Sequence, residues 1–129
     1  MPPHVMLDSS VLIDHFRTKD KESTLFARTV REYDILSISV VAKLEVLYGT
    51  RSELVERWNA VFATMQVIPF TNDMVAKSHE IILDLKRKSL LIDMKDIMIA
   101  ATAIVRDIPI ATLNRKHFER VVGLKFIDD

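Results

Sequence analysis

The chain contains no cysteine. That excludes disulfides, thiolate metal sites and cysteine nucleophiles, and it is compatible with a reducing cytoplasm. Glycine is almost as scarce, with only Gly49 and Gly123. Neither a Walker loop nor a G-x-G-x-x-G turn is therefore present, which argues against a P-loop or dinucleotide site. No charge of either sign is in surplus, since 18 Lys and Arg balance 18 Asp and Glu. Contact with nucleic acid must then come from a local patch and not from a global field. Long apolar runs are also missing. Ile97 to Val105 falls far below the roughly 20 residues that span a bilayer, and Met1-Pro2-Pro3-His4 has neither the basic region nor the apolar run of a signal peptide. The expectation is a cytoplasmic protein with no membrane association.

What is present is an ordinary globular composition, 49% apolar over 129 residues. That length suits one domain, residues 1–129, burying about two thirds of its unfolded surface. Short apolar runs alternate with helical periods. His4 to Asp8 reads as a strand and Ser10 to Phe16 as a short helix, capped by Ser9 or Ser10. Leu25, Phe26, Thr29, Val30 and Tyr33 repeat at helical spacing, and Ile35 to Ile38 is β-like. Ser39 is placed to cap a helix from Val40 to Tyr48, which Gly49 ends. Leu54, Trp58, Val61, Phe62 and Met65 form the next stripe, and Val67 to Phe70 a third strand whose Pro69 suggests a sheet edge or strand end. Asn72 is placed to cap a long helix carrying Val75, Ile82 and Leu85, closed by Lys86-Arg87-Lys88. Ile97 to Val105 is apolar nearly all round, as in a buried helix. Pro109 to Ala111 reads as a fourth strand, Arg115 to Val121 as a short helix and Lys125 to Ile127 as a last strand. Such alternation predicts an α/β fold, a mostly parallel sheet with helices on both faces.

On that scheme several oxygen-bearing side chains converge. Asp8 ends the first strand, where ligands of open α/β sheets sit. Glu45 shares part of the apolar face of its helix, Asp93 and Asp96 begin the most apolar helix, and Asn114 follows the fourth strand. Each also has a plain structural reading: Asp8 and Asp93 as caps, Asp96 as a first-turn acid, Glu45 on a solvated edge, Asn114 in a turn. Together they form a cluster of carboxylates, and each like-charged pair at ~5 Å costs roughly 3 kcal/mol at an effective dielectric of about 20. A divalent cation relieves that repulsion, and an all-oxygen donor set favours Mg²⁺ or Mn²⁺. His4, His15, His79 and His117 lack H-x-x-x-H spacing and read as surface or structural residues.

Four stretches resemble, in order, the motifs of PIN-domain ribonucleases: Leu7 to Asp14, Ser39 to Gly49, Asp96 to Ala103, and Thr112 to Val121 followed by Gly123-Leu124. The likeness is greatest to the VapC toxins of toxin–antitoxin pairs. The resemblance implies a PIN-like fold and a metal-dependent endoribonuclease. Asp8, Glu45 and Asp96 would be its catalytic, metal-binding acids. Asn114 would stand where many members have Asp, leaving one fewer negative charge for a second metal. Thr112 and Ser10 match hydroxyl positions that line such sites. The resemblance further implies an RNA substrate, a cognate antitoxin that blocks the site, and a homodimer.

Asp93 is assigned to the N-cap, in a capping box with Asp96, and Asp96 to the first turn, facing the metal. Arg51 is the basic residue expected nearest the site. Lys86 to Lys88, Arg115, Lys116 and Arg120 fit solvated faces or phosphate contacts, and Phe26, Trp58 and Phe62 fit the core. Three alternatives stand beside this reading: a PIN fold that binds RNA or protein without cutting, a receiver-like Mg²⁺-binding signalling domain, and a DNA-cutting relative such as a flap endonuclease, a class that is larger and carries more acids. The second normally needs adjacent acids after the first strand and another at Pro69-Phe70-Thr71, and neither is present.

Overall fold

The computed structural model describes residues 3–129. Met1 and Pro2, part of the segment read as lacking a leader, lie outside the described residues. The strands are β1 (His4–Leu7), β2 (Ile35–Ser39), β3 (Gln66–Ile68) and β4 (Ile110–Ala111). The helices are α1 (Ser9–Arg17), α2 (Leu25–Glu32), α3 (Val40–Tyr48), α4 (Val55–Phe62), α5 (Asn72–Arg87), α6 (Met94–Arg106) and α7 (Arg115–Phe118). Short 3₁₀ turns at Lys21–Ser23 and Ser52–Leu54 precede α2 and α4. Among the described residues no helix is long and apolar enough to cross a membrane.

The sheet is wholly parallel, in the order β3-β2-β1-β4. Val5, Met6 and Leu7 are fully buried although their side chains alternate between faces, so helices must cover both sides of β1. The chain steps outward from β1 to β2 and β3, then returns to lay β4 on the other side of β1. The carboxyl ends of β1 and β4 thus flank a topological switch point, where α/β sheets place their crevice.

Local signals explain most elements. The Ser39 hydroxyl accepts from the Val41 amide and starts α3. Gly49 follows its end, but at φ −89° and with room for a Cβ, so the position does not demand glycine. Gly123 does, because its φ of +89° is left-handed. In α6, Ile97, Ile99, Ala100, Ala101 and Ala103 are buried, and the buried Thr102 satisfies its hydroxyl on the Met98 carbonyl at 2.8 Å.

Several expectations are corrected. Asp8, not Ser9 or Ser10, occupies the N-cap of α1, and its side chain makes no cap hydrogen bond. Thr71 rather than Asn72 precedes α5, whose buried stripe is Met74, Ser78, Ile81 and Leu85, while Val75 is exposed. The helix begun at Arg115 stops at Phe118. Lys125 to Ile127 forms only a bridge, Phe126 beside Ile110, because β4 is two residues long. Asp93 does precede α6 with Asp96 in the first turn, but its carboxylate makes no cap hydrogen bond and the capping box is not formed.

That contrast sets an expectation. Ser39→Ala should cost about 1 kcal/mol, the usual loss of an N-cap hydrogen bond. Asp93→Ala should cost only about 0.3–1 kcal/mol, the helix-dipole contribution. Urea melts of both variants check this, and a larger loss for Asp93→Ala would contradict it.

Candidate active site

Asp8 is delivered by the sheet itself. Its amide donates to the Ala111 carbonyl at 3.0 Å, which extends the β1–β4 pairing to the strand end. Its side chain is 3% exposed, and two hydroxyls hold one oxygen: Ser10 Oγ at 2.8 Å and Thr112 Oγ1 at 2.9 Å donate to Oδ2. Those hydroxyls are themselves fixed, since Ser10 Oγ accepts from the Leu113 amide at 3.1 Å and Thr112 Oγ1 from the Asn114 amide at 2.9 Å. The other carboxylate oxygen, Oδ1, is buried with no hydrogen-bond partner. A buried acceptor left this way costs about 1–3 kcal/mol, more for a charged group, so the site retains an unused lone pair at real expense.

Asp96 and Glu45 face the same pocket, a cavity of about 450 Å³. Asp96, in the first turn of α6, is 6% exposed. Burial, then the nearby charges of Asp8 and Glu45, push its carboxyl from the ordinary 3.8 up to about 6, against the opposing pull of Lys95. Burial likewise raises Asp8, offset by its two hydroxyl donors and reinforced by Glu45. Glu45 is engaged differently. Ser9 Oγ donates to its Oε1, and Lys95 Nζ pairs with its Oε2. That hydrogen bond and Glu45's charge hold the Lys95 ammonium above its usual range.

Of the residues singled out in the sequence, Asp8, Ser10, Glu45, Asp93, Asp96 and Asn114 line this one pocket. Thr112 reaches it through its hydrogen bond to Asp8. Arg51 does not: its side chain is 78% exposed, pairs with Glu53 and lines a neighbouring cavity. The basic side chains in the acid pocket are Arg17 and Lys95. Ser9, Asp14 and His117 also line it, and His117 Nδ1 lies 2.9 Å from Asn114 Nδ2. Sequence reasoning missed these. Ser9 and Lys95 each adjoin a singled-out acid, which was the available signal.

Among the described residues no three His, Cys, Asp or Glu side chains are already gathered tightly enough to hold a metal ion. The Glu45 carboxylate is engaged by Ser9 and Lys95. The donor chemistry nevertheless fits a hard divalent cation. The acids are oxygen-only, Asp8 keeps an unpartnered oxygen, and burial, with the charges of Asp8 and Glu45, raises the Asp96 carboxyl above its usual range.

Comparison with known proteins places the fold among those already described. A PIN-domain family model matches residues 5–124. Ribonuclease VapC1 of Methanocaldococcus jannaschii is 31% identical over 96% of this chain and 87% of its own length. Ribonuclease VapC10 of Mycobacterium tuberculosis is 34% identical over 94% of this chain and 90% of its own. Among solved structures, a DNA-bound VapBC from Salmonella typhimurium superposes with a TM-score of 0.80 at 26% identity, covering 96% of each chain.

The raised Asp96 pKa carries a pH signature. An acid whose folded pKa exceeds its unfolded value favours folding fully below the unfolded value, and that contribution is lost as pH rises through the folded one. For Asp96 the window runs from 3.8 to about 6. In chelator, Asp96→Asn should therefore melt close to wild type near the bottom of that window and progressively higher than wild type towards neutral pH. A melting difference independent of pH would contradict the raised pKa of Asp96.

Proposed function

The chain belongs to the PIN-domain family, with VapC ribonucleases among its relatives, and we propose that it is a divalent-cation-dependent endoribonuclease, the toxin of a toxin–antitoxin pair. Residues 1–129 act as one PIN domain in the cytoplasm. The observation that carries the reading is the buried, unpartnered Oδ1 of Asp8 at the sheet's switch point, on a residue that lines one pocket with Asp96 and Glu45. Asp8, Glu45 and Asp96 are the residues that would hold Mg²⁺ or Mn²⁺. Such a cation, when bound, activates water at neutral pH and stabilises the leaving oxygen of a phosphodiester.

The chain's own residues do the rest. Ser10 and Thr112 orient Asp8 without neutralising it, because hydroxyls carry no charge. Asp96 is mostly ionised at pH 7, given a pKa of about 6. Asn114 stands beside the acids as a neutral wall, joined to His117. Asp93 adds negative potential at the pocket edge, while Arg17 offers a positive charge to substrate phosphates. Arg51 supports the substrate from the neighbouring cavity. The antitoxin partner is supported by the VapBC assembly of the Salmonella neighbour. A homodimer is supported by an apolar stripe on α3, where Val40, Leu44 and Tyr48 repeat every four residues and Tyr48 is 91% exposed.

The Glu45–Lys95 pairing favours the second reading, a PIN fold that binds RNA without cutting, and one experiment separates the two. Antitoxin-free protein should cut RNA with Mg²⁺ or Mn²⁺, excess EDTA should stop it, and Asp8→Asn or Asp96→Ala should abolish it while remaining folded. Mg²⁺ should raise the melting temperature of wild type more than that of Asp8→Asn. Binding without cleavage under all metals would select the second reading, and equal cleavage in EDTA would remove the metal. Light scattering tests the dimer, which Leu44→Glu or Tyr48→Glu should dissociate.

A further inference from the structure

The net charge of zero hides a segregation. The acid pocket is lined by five carboxylates against Arg17 and Lys95. Beside it lies a second cavity, of about 540 Å³, which shares Ile13 and Arg17 with the first. Its charged lining residues are all basic: Arg17, Lys21, Arg51 and Arg57. Its floor is apolar, and there Phe16 stacks on Trp58 with ring centroids 3.9 Å apart. Lys21 is committed to structure, donating to the carbonyls of His15, Phe16 and Thr18 at the end of α1. Arg17 and Arg57 are exposed and have no acidic partner among the described residues, and the Arg57 guanidinium sits 5.7 Å from the Phe16 ring centroid.

We infer that this second cavity is a substrate subsite for one unpaired nucleotide flanking the scissile phosphate. The inference rests on the ribonuclease reading of the acid pocket. An anionic strand whose reacting phosphate enters the acid pocket meets there repelling carboxylates. The adjoining cavity supplies the attraction: Arg17 and Arg57 for the backbone, Ile13, Phe16 and Leu54 for a base. A base enters such a concave apolar floor only if it has left its helical stack, so the subsite selects single-stranded loops over duplex RNA. The continuity of the cavities at Arg17 places the bound nucleotide next to the cleaved one. An acidic protein segment would satisfy the arginines but would not require the aromatic floor.

Binding tests this without depending on catalysis. Folded Asp8→Asn protein, without metal, is titrated with a fluorescent single-stranded RNA, with the same RNA in duplex form, and with polyglutamate. Single-stranded RNA should bind best. Adding Arg17→Gln or Arg57→Gln should each lower the slope of log affinity against log salt by about 0.7, the contribution of one lost single-strand phosphate contact. Circular dichroism melts confirm that these surface variants fold. In the cleaving enzyme, Arg57→Gln, which lies outside the acid pocket, should raise KM with kcat nearly unchanged. An abasic site next to the mapped cut should weaken wild type about tenfold, as expected for a lost stacked base. Unchanged salt slopes, equal binding of duplex, or equal binding of polyglutamate would overturn the subsite while leaving metal-dependent cleavage intact. Failure of wild type to cut any RNA would instead overturn the ribonuclease reading, with the binding titrations still deciding the subsite.

Discussion

The acid end of this molecule depends on the insertion of β1 between β2 and β4. Because β1 is central, Val5 to Leu7 can be fully apolar, and the first polar side chain after them emerges at the carboxyl end of the sheet. Because β4 is its parallel neighbour, the Asp8 amide reaches the Ala111 carbonyl and the next residue, Thr112, brings its hydroxyl to Asp8. One backbone register therefore joins residues more than a hundred positions apart. α3 and α6, which contact each other, then contribute Glu45 and Asp96. Their placement would mean little without Asp8 fixed between them.

Like charges gathered this way must be stabilised by something. Burial penalises Asp8 and Asp96 as carboxylates, and their mutual field adds to the penalty. The protein answers in two ways. Neutral hydroxyls accommodate one oxygen of Asp8, and the Lys95 ammonium accommodates Glu45. Asp96 accepts no such hydrogen bond among the described residues, and burial with the charges of Asp8 and Glu45 pushes it to about 6 against the pull of Lys95.

Legibility in the sequence followed the range of the interactions. A serine before an apolar period was enough to place Ser39 and α3, and an apolar run ending on an acid was enough to place Asp8, because those signals are local. The α/β alternation and parallel sheet followed from the same short-range pattern, and the order of four motifs pointed to the family. The contacts of Glu45 were not legible, since Ser9 and Lys95 reach it across 36 and 50 residues of sequence. The phase of α5 was misread because a serine, Ser78, occupies its buried stripe while the exposed Val75 mimics a core position. Arg51 was placed by its nearness to Glu45 in sequence, but the chain turns after Tyr48 and carries it to the adjoining cavity. Arg17 reached both cavities unnoticed, because only the fold sets the end of α1 between them.

The division of labour between hydroxyls and lysine has a physical logic. A cation bound to Asp8 would orient it more strongly than Ser10 and Thr112 do, but would cancel the negative potential in the deepest part of the site. Hydroxyls fix the carboxylate and leave its charge in place. Neutralisation is confined to Glu45, nearer solvent, by a lysine whose side chain is 48% exposed. Ion pairs of such exposure contribute only about 0–1 kcal/mol, because water stabilises the separated charges nearly as well. Releasing Lys95 therefore demands little. Asp8 is tied to the sheet and to two hydroxyl donors, while Glu45 is held by an exposed lysine side chain.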